Sequence, residues 1–447
     1  MSASRRAVIT GVGAITPSGL SADAAWAAVR DGRSAIGVLE GDEFDPLAVH
    51  IGGRVRGFDV SSVLPTGLAR RLSPVQHWAI AAADEALAQA GAAPPGGETP
   101  GAGATAAARL PWDPHRTAVI AASGSGPVDA QQRSTRALDA RGPRAVPIGL
   151  AVYGAPDAAA ALLSQRYGVT GPAQGVSATC ASGAVGLGEA LRRVRHGYAD
   201  AVIVVGMEDC LNAVNLASNA NLRSLAAGYE SDPTAACRPF DRRRSGFVMS
   251  QGAAALVVES EESARDRGAT ALAELAGFGA SSDAHHATAP HPEGRGAARA
   301  VRDCLEDAGT TPADVDHVNA HGTGTPAGDA AELLALEAAL GERARRIPIT
   351  ATKSSTGHLL GAAGALEAIV SIMTLRTGLL PPTLNLEDPE FDGWDFVTGA
   401  ARERPVDAVL STSFGFGGHN GALLLRRASE DTPTTTPPRR RSDDDRP

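Results

Sequence analysis

Val176–Ala190 reads VSATCASGAVGLGEA, and shortly after it Ala201–Val205 reads AVIVV. The first stretch is a strand-like run, a turn at Cys180 and a helix rich in Ala and Gly. The second is a strand of β-branched residues, the type that packs on a pleated, buried surface. Strands of this kind are buried on both faces, which means a layered α/β architecture with helices outside. The alternation extends in both directions. Ala7–Thr10 reads as a strand closed by the turn residues Gly11 and Gly13, Ser21–Arg30 as a helix, residues 77–90 as a helix ended by Gly91, and Thr117–Ala122 as a buried strand. Further on, Phe247–Met249 and Ala253–Glu259 read as strands, Ala297–Ala308 as a helix, Val315–Asn319 as a strand running into a Gly-rich turn, and Ala330–Leu340 as a helix. Ala408–Ser413 and Gly421–Leu425 close the pattern as strands. The two halves look loosely alike, since VITGVG at Val8–Gly13 and VNAHGTG at Val318–Gly324 both take a strand into glycines.

Composition bounds the class. The chain has 447 residues, enough for two cores or one large α/β domain. Hydrophobic residues are 43% and aromatics only 4%, so the core is built from Ala, Val, Leu and Ile. A formal charge of −9 argues against a general nucleic-acid binder. Four cysteines with no CxxC spacing indicate neither a disulfide framework nor a zinc site. The first residues lack a signal-peptide core, and no apolar run reaches the roughly 18 residues that span a bilayer. The expectation is a soluble cytoplasmic protein with no metal, no nucleic acid and no membrane. Residues 92–109, rich in Pro, Gly and Ala, are expected to be a surface loop, and the polar tail from residue 428 to 447 to be disordered.

Several side chains carry chemistry. Cys180 is expected at the first turn of a helix, where unpaired N–H groups and the macrodipole favour a thiolate. Cys210, Cys237 and Cys304 read as buried and inert. Lys353 is the only Lys among 41 Lys plus Arg, so its site asks for a compact ammonium and not a guanidinium fork. His358 follows five residues later at the start of a predicted helix, a setting that favours the neutral imidazole. His321 lies in HVNAHGTGTPAGD, Gly-rich and just after a strand. A neutral imidazole donates one hydrogen bond from Nε2, which suits an oxyanion. The remaining histidines sit in ordinary settings, and the His285–His286 pair lacks metal-ligand spacing. STSFGFGGHN at Ser411–Asn420 places Phe416 between glycines, where a backbone N–H can form half of an oxyanion hole and a ring can swing as a gate. The opening VITGVGAITPSG is no dinucleotide loop, because Pro17 stands in it and the third Gly is missing at that spacing.

Taken in order, these segments, together with RPFD at Arg238–Asp241, DAHHATAPHPEG at Asp283–Gly294 and TKSSTGHLLGAAGALE at Thr352–Glu367, resemble the elongating β-ketoacyl-acyl carrier protein synthases of the thiolase superfamily. The resemblance covers Arg6 to Arg427. It implies a thiolase-like α/β fold of two pseudo-duplicated halves, residues 1–260 and 261–427, in an α-β-α-β-α arrangement. It implies that Cys180 takes an acyl chain as a thioester, with the N–H groups of Cys180 and Phe416 as oxyanion hole. His321 and His358 would then stabilise the enolate formed as a malonyl-carrier thioester loses CO2. By the same resemblance Lys353 sets the electrostatics around His321 together with Glu332, Glu367 is a structural acid, Phe416 is the gate, and Thr323 and Thr325 bind the phosphopantetheine arm. No cofactor is implied beyond that arm, which the acyl carrier protein supplies. The implied partners are the carrier, with Arg70 and Arg71 as a docking pair, and a second ketosynthase-type subunit in a homodimer or heterodimer. The pathway is fatty acid or type II polyketide or polyene synthesis.

The chain departs from the family pattern in three places. Ser250–Gln251 stand where a Gly and an acidic residue are usual, which takes a charge from near the site. Pro127 and the small residues around Gly149 and Leu150 stand where larger apolar side chains border the acyl pocket, so an altered, longer pocket is expected. Other readings are a non-catalytic subunit resembling a chain-length factor, a thiolase acting on acyl-CoA, and a cysteine hydrolase using Asn420. Retention of Cys180, His321 and His358 speaks against the first. Two His with Lys353 speak against the second, and the lack of a base to activate water speaks against the third.

Overall fold

Small and β-branched residues give ten strands that share one continuous sheet in the computed structural model, which describes residues 5–92 and 110–428. They are β1 (Ala7–Ile15), β2 (Thr117–Ala122), β3 (Ala173–Val176), β4 (Ala201–Asp209), β5 (Gln251–Ser260), β6 (Ala273–Ser282), β7 (His317–Asn319), β8 (Ile349–Thr350), β9 (Ala408–Gly415) and β10 (His419–Arg426). The helices that layer them are α1 (Pro74–Gln89), α2 (Ala158–Tyr167), α3 (Ser182–Arg195), α4 (Arg295–Asp307), α5 (Pro326–Leu340) and α6 (Ala363–Thr377). Across the sheet the order is β3-β2-β4-β5-β1-β6-β10-β9-β7-β8. Counted from its own first strand, each half therefore has the order 3-2-4-5-1. The pairings also repeat, with strands 3, 2 and 4 parallel and strand 5 antiparallel to both its neighbours. The halves join at their first strands, where Val8 pairs with Glu274 and Ile9 with Ala273.

Strand alternation sorts the core into layers. On β4, Val202 and Val204 pack with Leu187 and Leu191 of α3 and Ile369 and Ile372 of α6. Ile203 and Val205, pointing the other way, pack with Ala83 and Leu87 of α1 and Leu163 of α2. On the second half, Leu410 of β9 packs with Val301 of α4 and Leu333 of α5, whereas Val409 joins the α3/α6 layer. The layers thus run α1/α2, first-half strands, α3/α6, second-half strands, α4/α5, the α-β-α-β-α order that the resemblance implies. Each large aliphatic side chain fully buried in this way contributes about 1.5–3 kcal/mol. Among the described residues one stretch, Leu360–Thr377, is long and apolar enough by composition to cross a bilayer, and 78% of it is buried inside the protein. It includes α6, a central core helix.

The duplication is written in glycines, of which Gly11 and Gly13 were expected to form a turn. Gly11 and Gly13 lie inside β1, and a Cβ on them would stand 1.9 Å from the carbonyl O of Ala86 and 2.1 Å from that of Ala82, so α1 lies directly on the strand backbone. Gly277 and Gly279 of β6 stand in the same relation to α4, with Cβ positions 2.5 Å from Cys304 O and 2.0 Å from Ala300 O. The counterpart of β1 is therefore β6, not the Val318–Gly324 segment, which lies at the second strand position of its half. A second repeated feature sits at the start of the central helices. Thr179, with φ of 50°, opens a 3-10 turn over Thr179–Ala181 before α3, and Leu360, with φ of 48°, opens one over Leu360–Ala362 before α6. Cys180 and Gly361 are thus equivalent positions on two like elbows.

Other expectations shift in detail. Phe247–Met249 is no strand but makes only isolated bridges, Phe247 with Leu225 and Met249 with His358. The three residues sit where three loops converge, so their apolar character serves packing, not a ladder. β3 is an edge strand with alternate residues exposed, unlike the doubly buried strands beside it. The loop expected at 92–109 and the tail expected at 428–447 lie, apart from Ala92 and Ala428, outside the described residues.

Candidate active site

The elbow before α3 is held by its own side chains. Ser182 Oγ donates to Thr179 O at 2.6 Å and accepts from Ala178 N–H at 2.9 Å. This presents Cys180, half-buried, at the head of α3. The C-terminal end of β9 reaches the same point. There Phe416 opens a tight turn, its carbonyl accepting from Thr179 Oγ1 at 2.9 Å. Gly415 makes that approach possible, because a Cβ on it would lie 2.1 Å from Thr179 Oγ1 and 3.0 Å from Cys180 N. The backbone N–H groups of Phe416 and of Cys180 itself lie beside the Cys180 sulfur and favour its thiolate. Backbone N–H groups at this point are the donor type that an oxyanion hole uses for an acyl oxygen carried on the sulfur.

The second half supplies two imidazoles. His321 follows β7 in a loop fixed from below by Glu332 of α5. That carboxylate accepts from His321 N–H and Gly322 N–H, both at 2.8 Å, and from Thr412 Oγ1 at 2.7 Å. His358 is held by its backbone, N–H to Val248 O at 2.7 Å and C=O from Ser250 N–H at 2.9 Å. Its Nδ1 accepts from Leu360 N–H at 3.3 Å, which assigns the ring proton to Nε2. The two rings stand edge to face, centroids 5.4 Å apart at 84°, and Phe247 packs edge-on against His358. Both imidazoles are held neutral, their pKa well below the usual value, first by burial and then by the Lys353 charge. For His358 a helix dipole was expected to favour the neutral form; burial and Lys353 are the causes instead.

Lys353 is 1% exposed and its Nζ pairs with Glu367 of α6. Its direct partner is therefore Glu367, not Glu332. Burial, partly offset by Lys353, lifts the Glu367 carboxyl to about 7, and burial also raises Glu332. The thiol departs from expectation. Burial pushes Cys180 up to about 12 against the lowering effect of Lys353 and the two N–H donors. Desolvation outweighs the helix terminus and favours the thiol.

Cys180, His321, His358 and Phe416 line one cavity, together with Glu332, Thr323 and Thr325. Thr323 and Thr325 share a hydroxyl contact of 3.0 Å in the glycine loop after His321. Pro127, Gly149 and Leu150 do not line it. Pro127 precedes the helix Val128–Arg141, and Gly149 precedes the short helix Leu150–Tyr153 beside exposed Ile148. Arg70 and Arg71 are exposed and, among the described residues, without an ion-pair partner. Ser250 is fully buried and donates to Gly53 O at 3.2 Å, whereas Gln251 faces a different cavity and not the catalytic one.

Two acids escaped the sequence reading. Glu208, at the end of β4, is fully buried and accepts from Gly124 N–H, Ser125 N–H, Gly361 N–H and Ser123 Oγ. It ties the loop after β2 to the elbow after His358. An acid ending a run of buried β-branched residues was the available signal. Asp329 is buried on α5 and accepts from Phe240 N–H at 2.8 Å and Gly324 N–H at 3.1 Å, fixing the loop that carries both threonines. The RPFD segment proves structural, Asp241 accepting from Arg238 and from the backbone of Glu387 and Asp388.

Residues 4–264 match the family described as beta-ketoacyl synthase, N-terminal domain, and residues 272–387 match beta-ketoacyl synthase, C-terminal domain. The chain belongs to the β-ketoacyl synthase family. This β-ketoacyl synthase is 38% identical over 419 residues to the 3-oxoacyl-[acyl-carrier-protein] synthase 2 of Synechocystis sp., covering 93% of the chain and 96% of that protein. It is 36% identical over 428 residues to the enzyme of the same name from Staphylococcus aureus, covering 95% and 98%. Among solved structures, a beta-ketoacyl synthase from Burkholderia phymatum superposes with a TM-score of 0.84 at 33% identity, covering 95% of the chain and 100% of that one. The ishigamide ketosynthase/chain length factor superposes at 0.83 and 29% identity, covering 96% and 100%. A type II polyketide ketosynthase, solved with its acyl carrier protein and a bound hexaketide, superposes at 0.84 and 27%, covering 95% and 100%. The fold of the β-ketoacyl synthase is accordingly thiolase-like.

Proposed function

We propose that this β-ketoacyl synthase condenses an acyl chain held on Cys180 with a malonyl-acyl carrier protein, releasing CO2 and a β-ketoacyl carrier two carbons longer. The observation that carries this reading is the convergence of Cys180 and two neutral imidazoles, His321 and His358, on one cavity. In the first half-reaction the Cys180 sulfur attacks the acyl-carrier thioester. The N–H groups of Cys180 and Phe416 hold the tetrahedral oxyanion, and the thiol proton passes to the departing carrier sulfur. The malonyl arm then enters past Thr323 and Thr325. Its carboxylate leaves as CO2, and the bonding pair becomes an enolate whose oxygen accepts from His321 and His358. That carbanion attacks the Cys180 thioester, and the thiolate that leaves takes up a proton. Lys353, paired with Glu367, acts on both imidazoles through space and keeps them neutral.

The phosphopantetheine arm comes with the carrier, so the protein needs no cofactor of its own. Arg70 and Arg71 supply exposed positive charge for an acidic carrier. The exposed edge strand β3 and the apolar Ile148 and Val152, 97% and 62% exposed, suit a second ketosynthase-type subunit. The reading places the protein in the cytoplasm, in fatty acid or type II polyketide or polyene synthesis. Intact mass spectrometry with acyl- and malonyl-carrier proteins tests it. The wild type gains one acyl group and yields the two-carbon-longer β-ketoacyl carrier. Cys180→Ala gains none, and His321→Ala and His358→Ala still acylate but condense on the order of 10²–10³-fold more slowly. An acyl adduct that persists in Cys180→Ala would falsify the assignment.

A further inference from the structure

The ladder between β4 and β5 ends on one rung, Asp209 opposite Gln251. Directly opposed residues of an antiparallel pair point to the same face, with Cβ atoms about 4.5–5.5 Å apart. Both side chains line a second cavity, open to solvent and separate from the catalytic one. The rung stands at the root of two supports of His358. One residue before Gln251, Ser250 N–H donates to His358 C=O at 2.9 Å. One residue before Asp209, Glu208 accepts at 3.1 Å from the N–H of Gly361, which follows His358 by three residues. The segment that carries the imidazole thus hangs between the ends of these two strands, and the last rung fixes how far apart those ends lie.

Negative charge is already concentrated at this rung. Burial first, then the charges of Asp129 and Glu208, lifts the Asp209 carboxyl to about 7. The other charged groups lining the cavity are Glu43, Arg54, Asp129, Arg133 and Arg136. Arg133 is paired with Asp129 at 2.9 Å, and Arg54 stands over the Phe44 ring, 5.9 Å from its centroid. Arg54 acts on Asp209 in the opposite sense, but more weakly than burial or either acid. A second carboxylate on the rung would face Asp209 directly, and like charges so opposed push a strand pair apart. The Gln251 amide carries no charge and offers N–H donors that suit a carboxylate. We propose that Gln251 is a positioning residue for His358: as the neutral member of the terminal rung it lets Asp209 stand opposite, keeps the ends of β4 and β5 together, and so holds the imidazole where the enolate oxygen forms. The rung holds one acid, and either strand can bear it. Gln251 in place of the acid usual in the family, and Asp209 opposite it, are then one compensated change. This rests on the condensing-enzyme reading above.

The test follows Cys180 acylation and β-ketoacyl-carrier formation separately by intact mass, beside thermal unfolding. It compares the wild type, Gln251→Glu, Asp209→Asn and the double variant at about pH 8, where carboxyls on the rung ionise. Gln251→Glu is expected to condense about tenfold more slowly, with acylation within about twofold of the wild type, because only condensation uses His358. Asp209→Asn is expected to condense within about threefold of the wild type, and the double variant to recover that rate. Melting temperatures are expected to follow the same pattern, lowered in Gln251→Glu and recovered in the double variant. Condensation at the wild-type rate in Gln251→Glu overturns the proposal, and so does a double variant as slow as Gln251→Glu. Equal slowing of acylation and condensation in Gln251→Glu shows general damage and overturns the positioning role. If Gln251→Glu alone does not fold, a folded, condensing double variant supports the rung and an unfolded one overturns it. A wild type that never condenses is a failure of the condensing-enzyme reading. The positioning role then falls with it, while the melting temperatures still decide the charge exchange.

Discussion

Lys353 is the only primary amine on a side chain of this protein, and it is buried in an ion pair with Glu367. An amine-reactive ester should therefore label the native protein at the N-terminus alone and reach Lys353 only after denaturation. Peptide mapping that finds Lys353 modified in the folded state would contradict the ion-paired, buried placement. Removing one partner would leave an uncompensated buried charge, and a guanidinium fork is bulkier than the compact ammonium held here. His317 offers a second test at this scale. It is fully buried, its Nε2 lies 3.0 Å from Thr350 Oγ1, and burial, helped by Arg404 and Arg402, lowers its pKa to about 3. A group with its folded pKa depressed below about 6.5 contributes stability that is complete above that pH and is lost as pH falls. Between pH 7.5 and 5.5 the wild type should lose about 1.4 kcal/mol of unfolding free energy that His317→Gln does not, measured by urea titration at both values. Equal losses would mean that His317 is not held neutral. Lys353 and His321 were legible in the sequence as unusual residues in unusual company. The state of Cys180 was not, because the balance between helix terminus and burial depends on what surrounds the sulfur.

At the scale of elements, the site depends on two chain turns meeting. Gly415→Ala would drive its Cβ into Thr179 Oγ1 and against Cys180 N, displacing the Phe416 N–H from the sulfur. The expected result is a fall in Cys180 acylation of about 10²–10³-fold. Thermal unfolding should register only an overpacking cost of about 1–3 kcal/mol. An alanine variant that acylates normally would show that the Phe416 N–H is dispensable. Most strands and helices were legible from period and composition, and their errors have physical causes. Gly11 and Gly13 read as a turn because glycine usually marks one, yet here it admits a helix onto the strand backbone. Phe247–Met249 read as a strand because apolar runs look alike whether they pair in a ladder or plug a junction of loops.

At the scale of the whole molecule, one buried carboxylate joins the halves. Glu208, on the last strand of the first half's central pair, accepts from Gly124 in that half and from Gly361 on the elbow of the other. Glu208→Gln would turn an amide N–H₂ towards backbone donors and leave at least one of them unpaired. It should cost about 1–3 kcal/mol in a two-state unfolding measurement. It should also slow condensation, since Gly361 follows His358 by three residues and Gly124 precedes the helix lining the second cavity. A variant with unchanged stability and unchanged condensation would remove Glu208 from this role. The duplication itself was half-seen in the sequence. Two strands feeding glycines suggested it, but the pair that carries it is β1 and β6, AVITGVGA and AELAGFGA, which share a leading Ala and a Gly-x-Gly-Ala ending.

The sequence by itself determined the layered α/β class and singled out Cys180, His321, His358, the Phe416 glycine loop and the solitary Lys353, because each rests on local order along the chain. Tertiary structure alone decided that Lys353 pairs with Glu367, that burial outweighs the helix terminus at the Cys180 thiol, that Glu208 and Asp329 hold the site together, and that Gln251 faces a second cavity. Those outcomes depend on burial and on contacts between segments far apart in the chain, and neither desolvation nor long-range pairing leaves a periodic trace in the order of residues.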